Sequence, residues 1–195
     1  MLAITAAALF VATIVLFCWL HAVNRSVHVV RDAVSLFGTG STAGLFRIYG
    51  HLGTAAIALF AIAAYLRRPG PLPSIVAIGL VVLVVARVAV IAVPTDAKGQ
   101  GTSLRGMFHL FLAVIVFAAT YTVIANAAPL FAAMPLKAAL DAMQLLCMLS
   151  LAGVVVTMLP PLKRLFGLFE RAFLLSMLIW FELASMSFAL RPVAG

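Results

Sequence analysis

Charge is scarce in this chain. Aspartate and glutamate together number five in 195 residues, charged residues of both signs make up 9%, and there are two cysteines. So few charged side chains cannot clothe a water-soluble surface, because even a well-packed domain of this length presents a polar exterior. Cys18 and Cys147 each sit inside an apolar run, which excludes a disulfide framework and any Cys-x-x-Cys metal or redox site. The shortage of acids leaves a formal charge of +8. The basic residues are nevertheless scattered over short connections and form no face, so nucleic acid is not expected as a partner. Residues 1–20 lack a basic leader, and Cys18-Trp19-Leu20 is not a small-residue cleavage site, so this stretch is expected to remain as a span.

What the chain has instead is hydrocarbon. Two thirds of it is hydrophobic (66%), and the mean hydropathy is +1.24. A membrane span needs about 20 mostly apolar residues. Six stretches qualify: 2–20, 48–66, 74–93, 107–127, 139–158 and 172–190. Backbone groups find no water inside a bilayer, so each must be a helix. Arg67-Arg68-Pro69-Gly70-Pro71 closes the second span, Pro129 and Pro135 punctuate the fourth connection, and Pro160-Pro161 end the fifth span. The expectation is a single all-α integral-membrane domain over residues 1–195, a bundle of six transmembrane helices.

The first connection, 21–47, is the longest. Val23, Val27, Val30, Val34 and Phe37 recur at helical spacing, with Arg25, His28, Arg31, Asp32 and Ser35 on the other side. This pattern predicts an amphipathic helix lying in the interface or tucked over the bundle mouth as a lid, broken by Gly38 and Gly40.

With six spans, connections one, three and five share a membrane face. That first face holds Arg25, Arg31, Arg47, Lys98, Arg105, Lys163, Arg164 and Arg171. The second holds Arg67, Arg68, Lys137 and Arg191. The positive-inside rule then puts the first face in the cytoplasm. Arg47, Arg105, Lys163 and Arg164 read as contacts to lipid headgroups, making membrane lipids the expected partners.

The densest polar segment is the third connection, 94–109, where Pro94 stops one helix and Gly99, Gly101 and Gly106 allow sharp turns. His109 lies one turn into the next span, and Arg105 precedes it by four residues, just as Arg47 precedes His51. Gly50, Gly53 and Thr54 let a neighbouring helix approach His51. Asp96, His51 and His109 are therefore expected to converge and to be the working groups. A histidine pair with a carboxylate suits zinc or iron. Two histidines on facing helices suit haem. Asp96 orienting a histidine suits general-base chemistry, with Ser35, Thr95 or water as its acceptor. Alternatively these groups cap spans and bind phosphate, with Asp96 shaping an Asx turn. Deeper in, Arg87 lies about 9 Å below the surface at 1.5 Å per residue. With Glu182 it is expected to form an intramembrane charge pair.

Pro94-Thr95-Asp96 followed by Gly106-Met107-Phe108-His109 resembles the hairpin of the domain-of-unknown-function family 998, and Arg31-Asp32-Ala33-Val34-Ser35 matches a Ser-containing segment of that family in outline. The resemblance spans roughly residues 1 to 125. It implies a six-span bacterial or archaeal inner-membrane protein whose hairpin matters, and it carries no established activity. The family's hairpin usually faces outward with basic residues in connections two and four, a pattern from which these loop charges depart. The function expected from the residues is binding or processing of a lipid or other hydrophobic molecule at the His/Asp-lined mouth. The alternatives are an accessory subunit of a larger membrane complex and a small transporter.

Overall fold

The computed structural model describes residues 1–67, 71–101 and 103–190. Arg68, Pro69 and Gly70 of the second connection, Thr102 of the hairpin and Arg191 lie outside the described residues. The chain is all helical, without a strand among the described residues. Six helices are each long and apolar enough to cross a membrane. They are α1 (Leu2–Val23), α2 (Ala43–Arg67), α3 (Ser74–Ala92), α4 (Leu104–Asn126), α5 (Lys137–Thr157) and α6 (Phe166–Leu190).

Consecutive helices pair as α1 with α2, α3 with α4 and α5 with α6, and α6 packs back against α1. Lipid tails are as apolar as leucine, so close packing, not expulsion of water, must hold such helices together. Small residues make that approach possible: a methyl at Gly79 would lie 2.8 Å from Val123, and one at Gly50 would lie 2.9 Å from Ile91. α6 is the central helix, and its Trp180, Phe181 and Phe188 join Phe10, Phe60 and Phe131 in one aromatic cluster. The opposite sides of α3 and α4 leave Ile78, Val81, Val85, Phe111 and Val114 exposed, as a lipid-facing surface requires.

Connections one, three and five meet at the same end of the bundle. Lys98 of the third pairs with Asp32 of the first at 2.6 Å, and the Leu168 N–H donates to the Val30 carbonyl at 3.1 Å.

The first connection departs from the expected amphipathic helix. Turns follow Val23, and then come two short 3-10 helices, Val34–Gly38 and Gly40–Thr42. The cause is local competition for the backbone. Asn24 accepts from the Ser26 N–H, Asp32 from the His28 N–H and His28 Nδ1 from the Val30 N–H, so the N–H groups a helix needs are already taken. Of the apolar stripe, Val27, Val34 and Phe37 are buried, whereas Val30 is half-buried and Val23 exposed. The segment packs against α2 and α6 at this end of the bundle.

A candidate cavity at the first-face mouth

Two neighbouring cavities open the bundle at this end. The outer one, of about 570 Å³, is lined by Arg47, His51, Thr95, His109 and Phe46 among others. The inner one, of about 100 Å³, is lined by Tyr49, Gly50, Arg87, His109 and Glu170 together with apolar side chains. Ser35, Phe46, Val90, Ile91 and His109 belong to both linings.

His109 is placed by the hairpin. Ser103 caps α4, its Oγ accepting from the Gly106 N–H at 3.0 Å. Asp96 holds Ser103 in turn: its carboxylate accepts from the Ser103 N–H at 2.8 Å and from Ser103 Oγ at 2.6 Å. These bonds from the Ser103 hydroxyl and N–H keep the Asp96 carboxyl below its ordinary value of 3.8. Gly106 must lack a side chain here, because a Cβ would fall 1.9 Å from Asp96 Oδ2. Asp96 therefore braces the start of α4 through Ser103, seven residues on, and not through the local Asx turn, and its carboxylate accepts from Ser103 and not from the histidines.

One turn into α4, His109 is buried and its Nδ1 lies 2.5 Å from the Val93 carbonyl oxygen. A carbonyl only accepts, so Nδ1 carries a proton, which leaves Nε2 as the nitrogen free to face the cavity. His51 is exposed on the outer cavity wall, one turn beyond Arg47. The structure thus brings His51 and His109 to one cavity and leaves Asp96 outside its lining. Among the described residues no three His, Cys, Asp or Glu side chains gather in a way that could hold a metal ion. The two histidines supply nitrogen donors with no carboxylate or thiolate to complete a zinc or iron set. Arg47, Arg105, Lys163 and Arg164 are all exposed at this end, where headgroups would lie.

Arg87 faces the interior as expected, with a different partner. Its Nε donates to Thr54 Oγ1 at 3.2 Å and its Nη2 to the Gly50 carbonyl at 3.4 Å. Gly53 makes room, since a Cβ there would sit 2.7 Å from Nη2. Helical side chains lean towards their helix N-terminus, which for α3 is the second face, so Arg87 leans inward and does not snorkel to the first face. Glu182 is not its partner: the described ion pairs are Lys98–Asp32 and Lys137–Asp141. Depth separates the two residues. Arg87 is five residues from the first-face end of α3 and Glu182 is sixteen from that of α6, a difference of about 16 Å at 1.5 Å per residue.

Two buried, hydrogen-bonded residues fall outside the last span expected from the sequence, which begins after them. α6 starts at Phe166, and Glu170 and Arg171 are buried in its opening turns. Glu170 Oε2 accepts from the Val34 N–H at 2.7 Å. Arg171 donates from Nε to His21 Nε2 at 2.8 Å, and from Nη1 to the Asp32 and Gly167 carbonyls at 2.6 and 2.9 Å. His21 Nδ1 meets the Phe17 carbonyl at 2.7 Å, so its tautomer is fixed from both sides. The available signal was periodic: Gly167, Glu170, Arg171, Leu174 and Leu178 recur at spacings of three and four, with no breaker between them and the apolar run.

Fold and cavity together define a six-span integral membrane protein with, at one end, a largely apolar cavity that carries a few polar groups. The chain belongs to the family described as "Protein of unknown function (DUF998)", whose model matches residues 4–186. The match takes in all six helices, beyond the part that carries the hairpin motif. No curated protein and no solved structure matches the chain.

Proposed function

We propose that this protein binds an amphipathic molecule of the membrane, a lipid or lipid-like compound, at the first-face mouth. The observation that carries this reading is the outer cavity. Its volume of about 570 Å³ falls within the roughly 300–1,000 Å³ of small-molecule sites. Its walls are apolar, while Arg47, His51, Thr95 and His109 supply polar groups. A molecule with a polar head and a greasy body matches both parts at the depth where such molecules reside. If the ligand is also processed, His109 Nε2 is the base, with Nδ1–H fixed on Val93. The charge imbalance of the connections supports a cytoplasmic mouth in the cell membrane.

The test is native mass spectrometry of the protein purified from its membrane. A retained lipid-like species that is lost in His109→Ala and Arg47→Ala supports the reading. A wild-type protein that carries none, and takes up none from a mixed lipid extract, refutes it. The accessory-subunit reading is favoured by a separate feature, an apolar groove of about 520 Å³ between α3 and α4 floored by Gly79, Ala118 and Ala119. Small residues of this kind admit a helix from another chain. Co-purification of a second membrane protein in fixed ratio, lost in Ala118→Leu, which fills the exposed groove without touching the α3–α4 contact at Gly79, would favour it.

A further inference from the structure

We propose that the inner chamber is a subsite for a singly charged anionic head, a carboxylate, carried by the amphiphile and seated on Arg87. The inference rests on the cavity reading above and specifies what the ligand must present.

Arg87 is 6% exposed, yet its bonds are long and go to neutral acceptors, Thr54 Oγ1 at 3.2 Å and the Gly50 carbonyl at 3.4 Å. A guanidinium has five N–H donors, so most of its capacity is unspent. No carboxylate lies within ion-pair distance of it among the described residues. A buried cation in a membrane ordinarily finds a counter-charge, and this one lines an empty space. Tyr49, also buried, lines the same space, and its hydroxyl bonds to no other described residue. Arg87 and Tyr49 thus offer donors from two helices into one space. Planar, two-pronged donation from arginine suits a carboxylate in particular.

The chamber also limits the head. At about 100 Å³ it is far smaller than the outer cavity of about 570 Å³, and it suits a carboxylate and its first carbons better than a large head. Glu170 forms another part of the lining, its Oε2 held by the Val34 N–H and its neighbour Arg171 directed at His21 and Asp32. A second carboxylate in the chamber admits one added negative charge more readily than two, which disfavours a phosphate monoester. The shared lining at Ser35, Phe46 and His109 leads outward, so the alkyl body occupies the outer cavity.

The experiment is competition against a diazirine-bearing palmitic acid photo-crosslinked to the detergent-purified full chain, with palmitic acid, hexadecanol and hexadecyl phosphate as competitors. The proposal expects palmitic acid to compete at least tenfold better than hexadecanol in wild type. Arg87→Gln should abolish that preference while hexadecanol still competes, and Tyr49→Phe should reduce it about threefold. If Arg87→Gln does not fold, Gly53→Ala, which crowds Nη2 without removing the charge, should lower the preference at least fivefold. If no competitor displaces the label, the cavity reading itself falls. If acid and alcohol compete equally in wild type, the cavity reading survives and the anion subsite is refuted. A preference untouched by Arg87→Gln and Gly53→Ala but lost in Arg47→Gln would move the head to the outer rim and overturn the assignment to Arg87. Hexadecyl phosphate winning over palmitic acid would overturn the single charge.

Discussion

Replacing Arg171 by glutamine separates two views of the basic residues at this end of the bundle. By composition Arg171 belongs with Lys163 and Arg164 as a charge that greets headgroups. By structure it is buried, and it clasps the first connection to α6 through His21 and the Asp32 carbonyl while bonding the Gly167 carbonyl of its own helix. Its guanidinium carbon also lies 6.0 Å from the centre of the Phe37 ring. Each acceptor stranded in a buried place costs about 1–3 kcal/mol. Two effects offset part of this: Arg171 Nη2 is buried without a partner, so its removal relieves a cost, and water can reach an opened mouth. A net loss of about 3 kcal/mol follows. Lys163 and Arg164 are exposed, and their replacement by glutamine should change stability by less than about 0.5 kcal/mol. Reversible unfolding in mixed micelles with increasing SDS measures all three. If Arg171→Gln falls in the same small range as the other two, the clasp contributes nothing and the reasoning is refuted.

Gly167→Ala should destabilise by about 1–3 kcal/mol in the same assay, the range for overpacking. The new Cβ would lie 2.4 Å from the Asp32 carbonyl oxygen, which is backbone and cannot swing away; a neutral result would mean the connection does not sit on α6. Burial alone would raise the Asp32 carboxyl, but the Lys98 ammonium and the His28 N–H hold it below its ordinary 3.8. Its contribution is therefore complete above that value and is lost as pH falls through the lower folded value. Melting curves taken from neutral pH downward should show wild type losing more stability in that acid window than Lys98→Ala, and parallel curves would remove the ion pair's role. Glu182→Gln should leave stability unchanged or raise it, because the residue is half-buried, unpaired with Arg87, and costly as a charge in a bilayer. A large loss would show that it has a partner after all.

The spans were legible because a bilayer leaves the backbone only one solution, and a run of twenty apolar residues announces it. Chemistry inside the protein was less legible because burial within a bundle relaxes the rule that made the spans visible. Glu170 and Arg171 interrupt the hydropathy and so mark the end of a span by composition. They are helical and buried because the first connection supplies the Val34 N–H and Asp32 carbonyl they need. That six-residue extension also carries Glu182 deeper from the first face than a start at residue 172 implies, which is why a pairing with Arg87 looked reachable. In the first connection the period of the valines and Phe37 picked out three inward side chains, Val27, Val34 and Phe37, while Val23 is exposed and Val30 half-buried. It misjudged the backbone, since Asn24, His28 and Asp32 bond the main chain that a helix would use. Within the hairpin, Gly106 and Asp96 were recognisable as turn chemistry, but only coordinates show them touching each other instead of the histidines.

The clasp and the chamber share a wall, and this couples stability to access. Val34, held by Glu170, precedes Ser35, which lines both cavities. Phe37, three residues on, is fully buried against His21 with ring centres 4.8 Å apart. Removing the Glu170 carboxylate strands a buried donor at Val34, and the cheapest relief is for that N–H to turn to water, carrying Ser35 with it. A cysteine placed at Ser35 should then report the change. In a Cys18→Ser background, with Cys147 buried, Ser35→Cys should react at least tenfold faster with a water-soluble maleimide when Glu170 is also alanine. The ratio converts to about 1.4 kcal/mol of opening, within the cost of one unsatisfied buried group. Equal rates in the two backgrounds would mean that Glu170 does not hold the wall, and that the first connection stays closed by its apolar side chains alone.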